Sequence, residues 1–326
     1  MTARPTLTIG IPTYNRRQSV VARINEIFSS PLPEGIDVLV IDNHSDDDTF
    51  EVITELANNN PRLKVLQNPR NLGYAGNFLA LLRNASADYL MYDSDEDSVV
   101  LDALDGFVNF LKEQQPDFVS PQASCHGRIY RADGRRGGIL PEDFRLATFY
   151  LSGITYRLSS AAPFVDFIDA QTQGNTYAFL YPQTVLLAAL LKRPRSFWYP
   201  ETLTVKQEQL PTHMRNEKGG SYTTPDARVR QGIDLVRFFD SLTEAPREVA
   251  PEELSRIREM RMAAARRIPS VLRLSISREM PDLLPGFDEG LANLYRRQSA
   301  AHRNLARIKT VIKNPKALIR IFSRRR

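Results

Sequence analysis

Cysteine is nearly missing from this chain: Cys125 stands alone among 326 residues. No internal disulfide can form, and the composition fits a reducing compartment. Long apolar runs are missing too. The longest, Tyr177 to Leu191, is broken by Tyr181-Pro182-Gln183 and falls short of the roughly 20 residues a helix needs to cross a bilayer. Met1-Thr2-Ala3-Arg4-Pro5 carries no signal-peptide pattern and leads straight into a strand-like run. The expected location is therefore cytoplasmic. Three absent motifs narrow the chemistry. No Gly-x-Gly-x-x-Gly follows the first strand, which argues against a Rossmann dinucleotide site. No Gly-x-x-x-x-Gly-Lys-Ser/Thr is present, so this is not a P-loop enzyme. No Gly-x-Ser-x-Gly elbow offers a nucleophilic serine.

What is present is a regular alternation. Leu7 to Ile11, Ile36 to Ile41, Leu63 to Leu66, Tyr89 to Tyr92 and Phe118-Val119 are apolar, β-rich runs. Helical patterns separate them, with Val20, Val21, Ile24, Ile27 and Phe28 on one face of the first and Val100, Leu104, Phe107, Val108 and Leu111 on one face of the last. Alternating strands and helices joined by short loops predict an α/β fold, a doubly wound, mostly parallel sheet flanked by helices. Such sheets bind ligands beyond the carboxyl ends of their strands. Polar residues gather at four of those ends: Thr13-Tyr14-Asn15, Asp42-Asn43-His44, Asn68 to Asn71, and Asp93-Ser94-Asp95-Glu96-Asp97. The last group packs four carboxylates into five positions. Like charges repel and resist burial without a partner. A divalent cation, which takes oxygen ligands and bridges carboxylates to phosphates, is the simplest partner. The other reading is a solvated acidic loop or helix start. Tyr14 could stack on a nucleobase and Asp42 accept from a ring N–H, so the set suits a nucleoside diphosphate held through magnesium or manganese.

Net charge is +5 but unevenly placed. Residues 250–326 hold 18 Lys+Arg against 7 Asp+Glu, and the first 249 residues hold 25 against 31. Residues 290–326 contain 11 Lys+Arg and no acid. With Leu305, Ile308, Ile312 and Phe322 among its apolar positions, this segment reads as a basic amphipathic tail suited to an anionic membrane surface. No aromatic platform accompanies the charges, so nucleic acid is not an expected partner.

Taken together, Thr8-Ile9-Gly10-Ile11-Pro12-Thr13-Tyr14-Asn15-Arg16, Val40-Ile41-Asp42-Asn43, Asn68-Pro69-Arg70-Asn71-Leu72-Gly73 and Ser94-Asp95-Glu96-Asp97 resemble the family 2 glycosyltransferases, which have the GT-A fold. The resemblance covers the first third of the chain well and the next third loosely. It implies a metal-dependent, inverting enzyme that moves a sugar from a nucleoside-diphosphate sugar to a glycan or lipid-linked acceptor. It divides the chain into a domain at 1–225, with a nucleotide-sugar half (1–115) and an acceptor half (116–225), and a helical basic C-terminal extension at 226–326. It implies donor binding by Pro12, Thr13, Tyr14, Asn15, Asp42, Asn43, Asn71 and Gly73, with Asp95 on ribose and metal and Asp97 as the direct metal ligand. Asp93-Ser94-Asp95 is a second register of the same motif. In relatives a His or Arg near His213 and Arg215 approaches the donor phosphates. Ser152 to Arg157, with Tyr181-Pro182-Gln183 and the apolar helix after it, is similar to the abequosyltransferase-like branch, which builds bacterial surface polysaccharide. A lipid-linked acceptor would place the enzyme peripherally on the inner face of the plasma membrane.

The chain departs from the family at one point. Inverting transfer needs a carboxylate to take the acceptor proton, yet Leu180 to Leu191, where the resemblance places that base, contains no acid. The neighbouring acids are Asp166, Asp169 and Glu201. Asp166 and Asp169 lie three apart and share a face if helical, so Asp169, with Asp166 beside it, is the expected base. A non-catalytic nucleotide-sugar-binding or membrane-associated scaffold is the alternative. A sugar nucleotidyltransferase ranks last, because its Gly-rich N-terminal loop with Thr-Arg is absent.

Overall fold

A computed structural model describes residues 4–125, 128–131, 134–206, 224–243, 249–279 and 281–289. The N-terminal half alternates as expected: β1 (Leu7–Thr13), α1 (Arg17–Ile27), β2 (Ile36–Asp42), α2 (Thr49–Asn58), β3 (Leu63–Gln67), α3 (Gly73–Asn84) and β4 (Tyr89–Tyr92). Three further features follow: a short strand β5 (Asp97–Val99), helix α4 (Leu104–Gln114) and strand β6 (Phe118–Cys125). Beyond it come β7 (Arg128–Arg131), β8 (Gly137–Gly138), α5 (Phe144–Ala147), β9 (Thr155–Arg157), α6 (Leu158–Thr172), α7 (Thr176–Leu180), α8 (Pro182–Leu190) and β10 (Ser196–Lys206). Helices α9 (Pro225–Thr243) and α10 (Pro251–Glu279) come next, and a short 3-10 turn at Pro281–Leu283 follows them.

The strands form one mixed sheet in the order β3-β2-β1-β4-β9-β6-β10-β5, with β7 on β6 and β8 on β10. The parallel half, β3-β2-β1-β4, is the part the apolar runs predict. Strands β5 and β9 pair antiparallel with β10 and with β4 and β6. They are three residues each and pair with partners far along the chain, so no local periodicity announces them.

Strands β1, β2 and β4 of the parallel half are buried on both faces, and their side chains alternate between two cores, whereas the edge strand β3 is buried only at Leu63. Leu7, Ile9, Ile11, Val38, Val40 and Met91 point to the side covered by α1, α2 and α4. Leu39, Ile41, Leu90 and Tyr92 point to the side covered by α3, α6, α7 and α8. Tyr92 stacks on Phe78 of α3 with ring centroids 4.2 Å apart. Phe238 and Phe239 of α9, and Ile257 and Met260 of α10, join the second core. The first part of the C-terminal extension therefore shares its apolar interior with the rest of the fold. The basic segment 290–326, His213 and Arg215 lie outside the described residues. No helix among the described residues is long and apolar enough to cross a membrane.

The winding sets the position of the site. The chain moves outward from β1 to β2 and β3, then returns to place β4 on the other side of β1. The order reverses between β1 and β4, the point at which sheets of this kind bind ligands in a crevice beyond the carboxyl ends of their strands.

Candidate active site

Thr13 ends β1 and Asp95 follows β4, so they flank that crevice. Thr13 Oγ1 donates to Asp95 Oδ2 across it at 3.1 Å. Arg16, just before α1, sets its guanidinium 3.6 Å from Asp95 Oδ1 and pairs closely with Glu96. Burial raises the Asp95 carboxyl above its usual range, and Arg16 and the Thr13 hydrogen bond oppose that rise.

Asp97 opens β5 and is 5% exposed. Its carboxylate accepts from the Tyr150 hydroxyl and, at 2.5 Å, from Ser152 Oγ. Ser152 Oγ also accepts from the Ser94 amide at 3.1 Å. Ser152 thus ties both ends of the acidic turn together. Asp93 takes no part in the rim. It is fully buried beneath it, where Arg23 Nε of α1 donates to Asp93 Oδ2 at 2.6 Å. Burial pushes its carboxyl up to about 7 despite that guanidinium.

The loops after β1 and β2 clasp each other. Asp46 N donates to Asn15 Oδ1, Asn15 N to Ser45 Oγ (both 2.8 Å), and the Tyr14 hydroxyl to Asp46 Oδ2 at 3.1 Å. Asn15 and His44 hold positive φ of 52° and 65°, a conformation asparagine and histidine tolerate better than most side chains. The Tyr14 ring remains 37% exposed and open to a stacking partner. Asp42, by contrast, is fully buried. It accepts from Gln67 Nε2 and the Ser45 amide, both at 3.0 Å, and from the Ser45 hydroxyl. Its first duty is to pin the β2 and β3 ends together.

Asparagines join the third wall to these two. Asn68 Nδ2 donates to Asn43 Oδ1 at 2.9 Å and to Asn77 Oδ1 at 3.0 Å, and Asn43 Nδ2 to Asn71 Oδ1 at 2.8 Å. All three of Asn43, Asn68 and Asn77 are buried. Their amides bond backbone groups at the ends of β1 and β2 and in the turn that opens α3, which ties the three segments together. Gly73 starts α3 with φ of 70°. Three residues on, a Cβ at Gly76 would lie 2.4 Å from Leu72 Cβ. Leu72 Cβ is fixed by the backbone, so Gly76→Ala must displace the Asn71-Leu72-Gly73 turn. We expect it to cost about 1–3 kcal/mol, the usual range for overpacking, and to weaken nucleotide affinity. Urea unfolding and a nucleotide titration check both; unchanged values would mean the turn yields freely.

The structure does not bring Asp166 and Asp169 to this rim. Both lie on α6 and share one partner, Arg83 Nη2, at 3.0 and 2.7 Å. Arg83 sits in the last turn of α3, about 15 Å along the helix from the Gly73 end. Spacing of three correctly places the two acids on one face, but that face meets a surface arginine. The end of α7 and the start of α8 do reach the Asn71-Leu72-Gly73 turn. Phe179 abuts Gly73, and the Tyr74 hydroxyl lies 3.5 Å from Gln183 Oε1. A neutral amide therefore stands beside the donor-lining turn. Arg16, Tyr74 and Tyr150 are residues the sequence reading gave no role, and Ser152 and Gln183 appear there only within longer segments. Arg16 alone had a local signal, as a cation next to Asn15 in a chain whose acidic run needs one.

The donor set suits a hard divalent cation. Asp95 and Asp97 offer carboxylate oxygens with lone pairs beyond those their hydroxyl donors occupy. Among the described residues no group of three or more His, Cys, Asp or Glu could hold a metal ion. Two carboxylates completed by water and substrate phosphates is the usual arrangement for magnesium.

Residues 8–164 match the family model for glycosyl transferase family 2. An uncharacterized glycosyltransferase of Haemophilus influenzae is 26% identical over 111 residues, covering 33% of this chain and 42% of that protein. Abequosyltransferase RfbV of Salmonella typhimurium is 33% identical over 106 residues, covering 32% of each. The chain thus spans less than half the length of these two relatives. Among solved structures, S. aureus TarS 1–349 in complex with UDP-GlcNAc gives a TM-score of 0.58 at 14% identity, covering 96% of this chain and 92% of that one. Mannosyltransferase PcManGT from Pyrobaculum calidifontis, in complex with GDP-Man and Mn²⁺, gives 0.54 at 17% identity, covering 98% and 86%. Those likenesses establish the GT-A fold, and residues 8–164 are similar to glycosyl transferase family 2.

Proposed function

We propose that the chain is a metal-assisted, inverting glycosyltransferase. It moves a sugar from a nucleoside-diphosphate sugar to a glycan or lipid-linked acceptor, in bacterial surface-polysaccharide synthesis. The observation that carries this reading is the Thr13–Asp95 hydrogen bond across the point where the strand order reverses. It joins the nucleoside loop to the acidic turn in one crevice. Nucleotide sugars in the TarS and PcManGT structures support the donor class, and Mn²⁺ in PcManGT supports a divalent cation.

Tyr14 stacks on the base, and Pro12, Thr13, Asn15, Asp42 and Asn43 shape the nucleoside pocket. Asn71 and Gly73 line the diphosphate side. Asp95 and Asp97 hold magnesium or manganese, which when bound stabilises the departing diphosphate. Arg16 adds a fixed positive charge beside the same oxygens. His213 and Arg215, which lie outside the described residues, are the residues the family resemblance offers for the donor phosphates. The acceptor hydroxyl attacks the anomeric carbon as its proton leaves to a carboxylate. Asp169, with Asp166 beside it, is the base the sequence offers, yet the Arg83 pair holds both away from the rim.

Gln183 favours a second reading, a nucleotide-sugar-binding scaffold without transfer activity, because an amide occupies the place beside Tyr74 and cannot accept a proton. One experiment separates the two. Nucleotide sugars are screened for Mn²⁺-dependent stabilisation, and the best donor is then assayed for sugar release. At a hundred times Kd, a true donor stabilises by about 2.7 kcal/mol. Binding followed by release supports the enzyme. Binding without release for wild type leaves the scaffold. In the same assay Asp169→Asn is expected to retain nucleotide binding and activity, since its carboxylate serves Arg83; loss of activity alone would make Asp169 the base after all.

The tail supplies the membrane contact. With 11 Lys+Arg and no acid over residues 290–326, and about 1 kcal/mol per basic residue near an anionic surface, truncation before Leu291 is expected to abolish binding to phosphatidylserine vesicles. Persistent binding in co-sedimentation would move the contact elsewhere.

A further inference from the structure

The surface beside the donor-lining turn carries groups that nucleotide and metal binding do not use. Tyr74, the second residue of α3, follows Gly73 directly and is 41% exposed. Gln183, at the start of α8, faces it. The Tyr74 hydroxyl and Gln183 Oε1 stand 3.5 Å apart, at the far limit of a hydrogen bond. Burial of the hydroxyl end, and then the Tyr181 hydroxyl nearby, raises the Tyr74 phenol above its usual range. The phenol therefore stays a donor at neutral pH, while the ring lies open.

Gln183 is the unusual member of the group. It is only 7% exposed, yet among the described residues its amide nitrogen has no hydrogen-bond partner. An amide held this deep normally places its donors on protein acceptors. The sealed and unbonded side-chain atoms of the described residues belong to Arg23, Asp93 and Ser196. The Gln183 nitrogen therefore reaches solvent, on the side where Tyr74 lies. Its backbone is fixed: the Gln183 carbonyl accepts from the Tyr156 hydroxyl at 2.7 Å, and every residue of α8 is buried.

The C-terminal extension completes the surface. Tyr181, between α7 and α8, packs on Tyr177 with ring centroids 4.8 Å apart. Arg228 Nη1 of α9 donates to the Tyr181 hydroxyl at 3.0 Å and to Gln231 Oε1 at 2.9 Å. Asp234 anchors α9 here by accepting from the Thr176 amide at 3.0 Å. Two phenols, an amide and a guanidinium are thus held at the starts of α3, α8 and α9. Aromatic faces beside a few placed donors suit a ligand with apolar faces and a polar rim. A pyranose has that pattern, with C–H groups on its faces and hydroxyls around its edge.

We propose that Tyr74, Tyr181, Gln183 and Arg228 form a saccharide subsite, in which a pyranose ring lies against Tyr74 and the Gln183 amide donates to one of its hydroxyls. The ring belongs either to the acceptor or to the sugar on the donor nucleotide. That choice rests on the transfer reaction proposed above; recognition of the ring does not. A site built to bond a hydroxyl rejects a ligand that lacks it.

The test uses the full chain with Mn²⁺ and saturation-transfer NMR. The probes are the methyl pyranosides of glucose, galactose, mannose, rhamnose and N-acetylglucosamine, with tetrahydropyran-2-methanol as a ring without ring hydroxyls. Saturable binding of a pyranoside but not of the control, weakened about three- to tenfold by Gln183→Met, supports the subsite; that range is the worth of one neutral hydrogen bond. Tyr74→Ala, at an exposed position, is expected to weaken it at least as much, and keeps the test open if Gln183→Met lowers the unfolding midpoint. Binding that persists under saturating UDP and GDP assigns the ring to the acceptor. Tighter binding of UDP-glucose or GDP-mannose than of the bare nucleotide, with the gain lost in both variants, assigns it to the donor. Pyranoside binding without sugar release keeps the subsite and removes the transferase reading. Sugar release with no pyranoside binding, and with no nucleotide-sugar gain sensitive to the variants, overturns the subsite and keeps the transferase. Equal binding of the control, or binding untouched by both variants, overturns the proposal as well.

Discussion

Asp97→Asn is expected to lower kcat for sugar transfer by roughly 10²–10³-fold, equivalent to about 3–4 kcal/mol of lost leaving-group stabilisation. The asparagine keeps the side chain's volume and one acceptor oxygen. It can still take a hydrogen bond from Ser152 or Tyr150, which now hold the carboxylate from two sides. What it loses is the negative charge that would hold a cation. Alanine is the worse probe, because it would take an acceptor away from the buried Ser152 hydroxyl and the half-buried Tyr150 hydroxyl, a change that destabilises the turn itself. Loss of activity in Asp97→Ala would then mix folding with chemistry. The decisive pair of readouts is the Mn²⁺ concentration for half-maximal activity and the unfolding midpoint. A raised Mn²⁺ requirement with an unmoved midpoint assigns Asp97 to the metal. Wild-type kcat and Mn²⁺ dependence in Asp97→Asn would reduce it to an anchor for the Ser152 segment.

The same residue marks how far the sequence could be read. Its place after the fourth apolar run, and its membership of an acidic turn that needs positive charge, were legible because strands buried on both faces read as unbroken runs. Runs at Leu7, Ile36, Leu63 and Tyr89 therefore gave the parallel half of the sheet and one polar rim. The partners of Asp97 were not legible. Tyr150 and Ser152 lie more than 50 residues away, and β9, which holds their loop in place, has only three residues and pairs antiparallel with β4. The acids on α6 fail for a related reason. Spacing of three fixes that Asp166 and Asp169 share a helix face, but nothing local says whether that face meets a catalytic crevice or Arg83. Asp42 was found at the correct strand end, yet its complete burial goes with Ser45, on the loop after β2, and Gln67, at the end of β3.

Arg23→Met is expected to destabilise the fold by about 3–5 kcal/mol, the cost of leaving one partner of a buried pair charged and alone. Arg23 is 2% exposed and Asp93 fully buried. The pair joins α1 to the end of β4 directly beneath the acidic turn, and Asp93 N also donates to Gly10 O at 2.9 Å. The pair is not an ideal one: Arg23 Nη2 and Asp93 Oδ1 are buried with no hydrogen-bond partner among the described residues. Its desolvation is therefore only partly offset, which is why the Asp93 carboxyl stays high even beside a guanidinium. Methionine fills most of the arginine stem's volume and removes the charge, so the loss reports electrostatics rather than a cavity. Against a total stability of about 5–15 kcal/mol, that is enough to unfold a large fraction of the protein at elevated temperature. The double variant Arg23→Met/Asp93→Asn removes the stranded carboxylate and should recover at least half of the loss, because matched removal of both partners is far cheaper than removal of one. Urea unfolding of the two singles and the double measures the coupling. If Arg23→Met alone shifts stability by less than about 1 kcal/mol, the pair behaves like a surface salt bridge and does not fix the acidic turn in place. If the double recovers nothing, the cost lies in packing of α1, and the charge pair is incidental to the position of Asp95 and Asp97.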